Sequence, residues 1–166
     1  MDGESFGDKV CRVADVPAGV LVGTDGSACG QEAVRWAAAL AHRAGYELHV
    51  LRVWDLASAP RPSSWAVGYV PPLHEWEAAV HQELCTQVAV LDLGPAQPVT
   101  CHVAYGAPAP RLIASAAHAD LVVVGSRGHG GFTGLLLGSV SDQVVRHAPC
   151  PVTVVRSPRP RTSDRV

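Results

Sequence analysis

Short apolar runs alternate with longer amphipathic stretches along the chain. Five apolar runs have the length and β-branched content of buried strands: 19–25, 47–55, 98–106, 120–126 and 150–156. Four stretches with helical patterning lie between them: 27–45, 73–91, 107–119 and 139–147. The predicted order is therefore β-α-β-α-β-α-β-α-β. This alternation predicts one α/β domain with an open, parallel, five-stranded sheet and helices on both faces.

The ends of the first and last helices carry local signals. Ser27 is a predicted N-cap and Gly45 a predicted C-terminal stop of the first helix. For the last helix, Ser139 is the predicted N-cap, and Asp142 stands three residues later as in a capping box. Pro149 disfavours helical geometry in the residue before it, so this helix is expected to end near residue 147.

A proline-rich stretch, residues 56–72, separates the second strand from the second helix. It predicts a long irregular loop, and loops of this length inside compact domains are usually functional or mobile. From Leu73 onward the apolar positions form one helical stripe, at 73, 76, 80, 84, 88 and 91.

Composition narrows the class of protein. The 166 residues suit one domain, and 48% hydrophobic against 17% charged residues argues against a disordered chain. The net charge of -2, without a Lys/Arg stripe, argues against nucleic-acid binding. No apolar run reaches the roughly 18 residues of a membrane span. The N-terminal residues are acidic and lack the apolar core of a secretory signal, so we expect a cytoplasmic protein.

The cysteines and histidines carry no metal-binding or disulfide pattern. Five scattered cysteines without a C-x-x-C pair indicate reduced thiols that pack as small apolar side chains. Eight histidines show no ligand spacing either, so we predict no metal site.

The stretch "VVVGSRGHGGFTGLLLGSV", residues 122–140, places six glycines directly after the fourth strand. Bare backbone amides leading into a helix N-terminus suit a phosphate group, because no Cβ blocks its approach and the helix dipole is positive there. The dinucleotide fingerprint G-x-G-x-x-G fails, since Thr133 stands where the third glycine belongs. The P-loop also fails, because the only lysine of the chain is Lys9.

A different template fits. The spacing Gly125-x2-Gly128-x9-Gly138-Ser139, together with "VLVGTDGS" and "GLLLGSVSDQVVRHAPCPVTVV", resembles the ATP-binding members of the universal stress protein family. The resemblance covers residues 18–156. It leaves an N-terminal segment, 1–17, and a tail, 157–166, which we expect to be flexible and disordered respectively. It implies a flavodoxin-like, adenine nucleotide alpha hydrolase-like fold with strand order 3-2-1-4-5.

The resemblance also implies which residues bind the ligand. The ribose and phosphates would be wrapped by Gly125, Ser126, Arg127 and Gly128. The outer phosphates would meet the helix start at Gly138, Ser139, Val140 and Ser141. The nucleoside would lie beside Gly23 and Asp25, with adenine read by the backbone of Val53. ATP is the implied ligand, with Mg²⁺ left open as its companion. A homodimer through the last strand, residues 151–155, is implied as well, and the protein partner stays unidentified.

Several of these residues have simpler interpretations. Asp25 can cap the first helix, Arg127 can be a solvated loop residue, and Ser126 can serve only the turn. His129 has no orienting partner in its neighbourhood of the sequence, so we do not predict a catalytic role. Trp54 and Trp65 can flank adenine or pack within the fold.

Three functions therefore compete. The first is an ATP-binding regulatory dimer in a stress response. The second is a slow ATPase or nucleotidyl-transfer enzyme, for which the glycine loop offers few of the acids and bases that phosphoryl transfer needs. The third is a flavin or redox domain on the same fold, which the fold alone does not exclude.

Overall fold

A computed structural model describes residues 10–94, 98–128 and 136–156. The described elements follow the predicted alternation. Five are strands: β1 (Val20–Gly23), β2 (Leu48–Trp54), β3 (Val99–Tyr105), β4 (Leu121–Gly125) and β5 (Val152–Val155). Four are helices: α1 (Ala28–Ala44), α2 (Leu73–Ala89), α3 (Pro108–Ser115) and α4 (Ser139–His147). The strands are shorter than the predicted runs, because the residues at the ends of each run belong to the connections.

The sheet confirms the strand order 3-2-1-4-5, with every neighbouring pair parallel. Central strand β1 pairs with β2 on one side and with β4 on the other. At its end Gly23 stands opposite Leu51 and Val124. The chain order reverses between β1 and β4, so the loops that follow these two strands leave the sheet side by side. Such a switch point is where open α/β sheets bind ligands.

The helices cover both faces of the sheet, as predicted. Helices α1 and α2 pack on one face, and α3 and α4 on the other. The alanines at 33, 37, 38 and 41 of α1 are fully or almost fully buried, which lets that helix lie close to β1 and β4. On α2, the predicted stripe is buried at Val80, Leu84 and Val88. None of the helices in the described part of the chain is long and apolar enough to cross a membrane.

The ends of α1 match the sequence signals. The Ser27 hydroxyl accepts a hydrogen bond from the Gly30 amide at 3.1 Å, which confirms the N-cap. Gly45 adopts the left-handed conformation at the other end, with φ 71°. Ala148, before Pro149, has the extended conformation that ends α4.

The predicted capping box of α4 is wrong. The helix begins at Ser139, so Gly138 occupies the N-cap position, and this residue has no side chain to cap the helix. The Gly138 amide donates to the Ser126 carbonyl at 2.8 Å, which holds Gly138 extended one residue before the expected cap. Asp142 instead pairs with Arg146, Nε to Oδ2 at 2.9 Å, along the exposed side of the helix.

Residues 10–17 lie against the sheet and α3. They are the described part of the N-terminal segment 1–17, which the family resemblance does not cover. The Tyr105 amide donates to the Cys11 carbonyl at 2.7 Å. The Ala14 amide donates to the Ser115 hydroxyl at 2.9 Å, and Ala14 and Val16 are buried. The flexible segment predicted for residues 1–17 otherwise falls on residues outside the described ranges, as does the predicted tail.

Candidate functional site

A cavity of about 630 Å³ opens at the carboxyl ends of β1, β2 and β4. Ten of the eleven site residues implied by the sequence resemblance line it: Gly23, Asp25, Val53, Gly125, Arg127, Gly128, Gly138, Ser139, Val140 and Ser141. The fold thus brings together residues from the first half of the chain and from the glycine-rich stretch. Cavities of this size suit a small-molecule or cofactor ligand.

Ser126 lies behind the cavity wall, where it closes the loop between β4 and α4. Its carbonyl accepts hydrogen bonds from the Gly138 amide at 2.8 Å and from the Ser141 hydroxyl at 3.2 Å. Its own amide donates to the Val155 carbonyl at 2.7 Å. Ser126 therefore fixes the spacing between the two ends of the loop, and its contact with a ligand stays a prediction. The middle of the loop, including His129, falls outside the described residues.

At three glycines of the cavity an added side chain would crowd other parts of the protein. A Cβ at Gly23 would lie 2.8 Å from Leu112 Cδ2, and one at Gly125 would lie 3.0 Å from the Cys29 carbonyl oxygen. A Cβ at Gly128 would overlap the Asp25 carboxylate. At these positions the close approach of α1, α3 and the β1 loop accounts for the missing side chain.

Gly138 differs from these three glycines. Its φ of -76° is open to any residue, so backbone conformation does not require glycine there. A Cβ at Gly138 would have its nearest neighbours at 3.6 Å, an ordinary van der Waals contact. Within the described residues nothing in the protein demands a bare backbone at this position, which lies on the cavity wall.

The start of α4 presents amide donors to the same wall. The first amides of a helix have no carbonyl partner within the helix, and here no side chain of an N-cap residue accepts from them. The first bond of the helix runs from the Asp142 amide to the Gly138 carbonyl at 2.9 Å, which leaves the amides of Ser139, Val140 and Ser141 outside that ladder. Together with the helix dipole, these amides favour an anionic group.

Asp25 stabilises a turn and also lines the cavity, and its contact with a ligand stays a prediction. Its Oδ1 accepts from the Ser27 amide at 3.0 Å, so the carboxylate stabilises the turn that starts α1. The same side chain lines the cavity and lies against Gly128. The loops after β1 and β4 are therefore in contact at the switch point.

The opposite end of the cavity carries charged and amide side chains that sequence reasoning missed. Arg52, almost buried on β2, forms an ion pair with Glu83 of α2 and donates to the Ser58 carbonyl at 3.3 Å. A Cβ at Gly26 would lie 3.2 Å from the Gln87 amide oxygen, so α2 also touches the β1 loop. A signal was present, because an arginine inside the apolar run 47–55 needs a buried partner.

The two tryptophans considered as adenine neighbours pack against other aromatic side chains, Trp54 in the core and Trp65 at the surface, where it is 46% exposed. Trp54 is fully buried and meets Tyr105 edge to face, with ring centroids 5.0 Å apart. Trp65 meets Trp76 in the same manner at 5.9 Å. Neither is among the residues that line the cavity.

The loop 56–72 is irregular, as predicted, and is anchored at both ends. At its start the amides of Ala57 and Ser58 donate to Asp55 Oδ1 at 3.1 and 2.8 Å. Hydrogen bonds from the Ser58 side chain and backbone hold the pKa of the Asp55 carboxyl below its usual value. Ser58 belongs to the cavity wall, so this anchor places the beginning of the loop over the site.

Farther along, the same loop is tied to the first turn of α2. The Glu75 carboxylate accepts hydrogen bonds from the hydroxyls of Ser64 and Tyr69, and these bonds lower the pKa of its carboxyl. The Trp76 indole donates to the Pro71 carbonyl at 3.1 Å.

The fold and the site together define a class of protein: an open parallel α/β protein with a glycine-lined cavity at its switch point that favours an anionic ligand. The chain belongs to the universal stress protein family, whose pattern matches residues 19–156. It is 40% identical over 142 residues to universal stress protein Rv2005c of Mycobacterium tuberculosis, covering 82% of this chain and 45% of that protein. It is 34% identical over 157 residues to Rv1996 of the same organism, covering 86% and 49%. The chain spans about half the length of these curated relatives.

Solved structures of the family share this architecture. The universal stress protein UspA from Lactobacillus plantarum is 25% identical, with a TM-score of 0.60, and the match covers 86% of this chain and 99% of that one. A universal stress protein crystallised in complex with cAMP is 28% identical, with a TM-score of 0.58, covering 86% and 98%. The fold is thus the adenine nucleotide alpha hydrolase-like fold that the sequence resemblance implied.

Proposed function

We propose that the cavity binds an adenine nucleotide, ATP, with its phosphates at the start of α4, and that the protein is a regulatory nucleotide-binding dimer of a stress response. The observation that carries this proposal is Gly138. Among the described residues it is bare without a steric or conformational reason, and it stands at an N-cap position where it offers no side chain to the first helix amides. A phosphate that presses against the backbone there would account for both features.

Two further observations support an adenine nucleotide. Arg127 lines the cavity beside Gly128, which adds a cation near the proposed phosphates. The related universal stress protein at 28% identity was crystallised with cAMP, which shares adenine, ribose and a phosphate with ATP. Assignment of the chain to the ATP-binding branch of the family rests on its Gly125-x2-Gly128-x9-Gly138-Ser139 spacing.

The proposal is for binding rather than dedicated catalysis. Phosphoryl transfer needs acids that hold a metal ion and a positioned base. In the described part of the cavity wall the carboxylates are those of Asp25 and Glu83. Asp25 accepts from the Ser27 amide and Glu83 pairs with Arg52, so both have structural partners.

The direct test is to identify and measure the ligand. Freshly purified protein is denatured, and the released small molecules are analysed by mass spectrometry and by ultraviolet-visible absorbance. We expect an adenine nucleotide, and titration calorimetry should then rank ATP against ADP, AMP and GTP, with and without Mg²⁺. A yellow flavin spectrum, or no binding of any adenine nucleotide, would replace this proposal with another function.

Nucleotide should also reduce motion in the loop 56–72. Its first residues contribute Ser58 to the cavity wall, next to Val53 of β2. We expect saturating ATP to slow amide hydrogen exchange at the start of this loop. The residues held by Glu75 serve as an internal reference, because their anchor lies on α2 outside the cavity. Exchange that is unchanged throughout 56–72 would contradict the placement of the nucleoside at this end.

The proposed dimer uses β5, an edge strand. One side of β5 pairs with β4, and its residues 152–155 are all partly exposed. Uncharged β-branched edges of this kind pair readily with another chain. We expect light scattering at micromolar concentration to give twice the 17.4 kDa mass of one chain.

A proline variant tests whether the dimer forms through that edge. The carbonyls of Pro151 and Val155 accept hydrogen bonds from the amides of Val122 and Ser126, on the β4 side. Successive residues of a strand direct their backbone groups to opposite sides, so the amide of Val154 faces the open edge. Val154→Pro removes one outward amide without removing a bond to β4. If a folded Val154→Pro protein keeps the dimeric mass, the interface lies elsewhere. If the protein without the substitution is already monomeric, there is no dimer of this kind.

A further inference from the structure

Helix α2 carries a second group of polar side chains, which do not line the cavity. Cys85 Sγ lies 3.8 Å from His81 Nδ1 and 3.9 Å from His81 Nε2. His81 Nε2 in turn lies 3.3 Å from the carbonyl oxygen of Cys101, on the edge strand β3. The imidazole therefore stands between one cysteine side chain and the backbone of another, at a place where α2 packs on β3.

The two cysteines lie at the same α2–β3 contact, on either side of the His81 imidazole, and differ in their neighbours. Cys101 packs against the core cluster under α2, where it is only partly exposed. Burial, and next the neighbouring Cys85, raise the pKa of the Cys101 thiol to about 12. Cys85 has the His81 imidazole beside it. Of the two sulfurs, Cys85 is the one with an imidazole beside its side chain, so it is the one that we expect to react with an oxidant.

A metal ion is a poor explanation for this group. Within the described ranges no three His, Cys, Asp or Glu side chains are arranged to hold a metal ion. Two neighbouring thiols with an adjacent base instead match the arrangement of redox-active cysteines, in which one sulfur reacts and a second resolves the product.

We propose that Cys85 and Cys101 form a peroxide-sensitive thiol pair, with His81 as the base that activates Cys85. Oxidation would join α2 to β3 by a reversible disulfide. The co-reactant is a hydroperoxide, of which hydrogen peroxide is the simplest. This pair is independent of the nucleotide cavity, so its test does not depend on the proposed ligand.

The reaction balances in two steps. His81 takes the Cys85 proton, and the sulfur attacks one peroxide oxygen. The O–O bond breaks and Cys85 becomes a sulfenic acid. The other oxygen keeps its own hydrogen, takes the proton held by His81, and leaves as water. The Cys101 thiol then attacks the sulfenic sulfur, so that an S–S bond forms and the S–O bond breaks. The sulfenic oxygen leaves as the second water with the Cys101 proton. Two thiols lose two electrons, and one hydrogen peroxide is reduced to two waters.

The test is peptide mapping of the full chain after oxidation. Reduced protein is treated with a small excess of hydrogen peroxide, free thiols are blocked, and the protein is digested. No Lys or Arg lies between Arg61 and Arg111, so trypsin leaves both cysteines in one peptide. Chymotrypsin, which cleaves after Leu91 or Leu93, separates them. We expect linked peptides carrying Cys85 and Cys101 that dithiothreitol releases.

Three variants make the result specific. Cys85→Ser should abolish the linkage, and Cys150→Ser, at a thiol on the other face of the sheet, should leave it unchanged. His81→Gln should slow the linkage at least about 10-fold, as loss of a general base does. Circular dichroism of each variant checks that it is folded.

Three outcomes would overturn the proposal. The first is a folded protein that forms no linked peptide, and the second is a linkage through Cys11, Cys29 or Cys150 instead. The third is direct oxidation of Cys85 to the sulfinic acid while Cys101 stays a free thiol. If Cys85→Ser fails to fold, Cys101→Ala supplies the same test from the strand side, because it should leave Cys85 as an unlinked sulfenic acid that dimedone traps.

Discussion

Gly138→Val is expected to abolish ATP binding and to leave the circular dichroism spectrum close to that of the unchanged protein. The branched side chain would occupy the space in front of the α4 amides, where we propose that phosphate lies. Each lost charge-assisted hydrogen bond is worth roughly 1.5 to 3 kcal/mol, so binding should weaken by about two orders of magnitude or more. Titration calorimetry with ATP measures the loss.

Gly138→Ala is the matched control for bulk. The φ of -76° removes backbone strain as an explanation, and among the described residues the nearest neighbours of a Cβ at this position are 3.6 Å away. Alanine should therefore weaken binding less than valine, with both proteins folded. If a folded Gly138→Val protein binds ATP normally, the glycine serves the loop alone and the phosphate lies elsewhere.

Glu83→Leu is expected to destabilise the protein, because it leaves the Arg52 guanidinium almost buried without its carboxylate. Removing one partner of such a pair leaves a poorly solvated charge. Glu83 itself is 39% exposed, so water can partly replace it, and we expect a loss of about 2 kcal/mol in the free energy of unfolding. For a chain of this size that is a fall of about 4 to 8 °C in the melting temperature.

The double variant Arg52→Met/Glu83→Leu separates the lost charge from the lost contact. Replacing both partners by apolar side chains of similar size is often nearly neutral, so most of the stability should return. Calorimetric melting curves of the three proteins give the comparison. A Glu83→Leu protein with unchanged stability would show that Arg52 is adequately solvated, and that the ion pair contributes only orientation.

The elements were predictable because each obeys one periodicity. The buried stripe at Val80, Leu84 and Val88 has helical spacing, and the apolar runs have the length of strands. The order of the strands was different in kind. Periodicity does not predict which strands are neighbours in the sheet. The order 3-2-1-4-5 came only from the family resemblance, and the structure confirms that order.

The site was predictable where residues are adjacent in the chain and harder to predict where they are not. The glycine spacing located one wall of the cavity. It did not distinguish Gly125, where Cys29 leaves little room for a Cβ, from Gly138, where no described residue crowds one. The Arg52–Glu83 pair joins residues 31 positions apart, and no local pattern links them. The cap of α4 was missed because the bond that places Gly138 comes from the tertiary partner Ser126.

The helix start without a capping side chain has a thermodynamic consequence. If an anion accepts hydrogen bonds from the first amides of α4, it binds the folded chain and not the unfolded one. Binding of the anion therefore adds to the free energy of unfolding. For a single site this gain is about 2.7 kcal/mol when free ligand is 100 times its dissociation constant. The share of unfolded molecules, and with it exposure to proteolysis, would then fall about 100-fold as the nucleotide supply rises. The amount of this protein in a cell would in this way report how much nucleotide the cell holds.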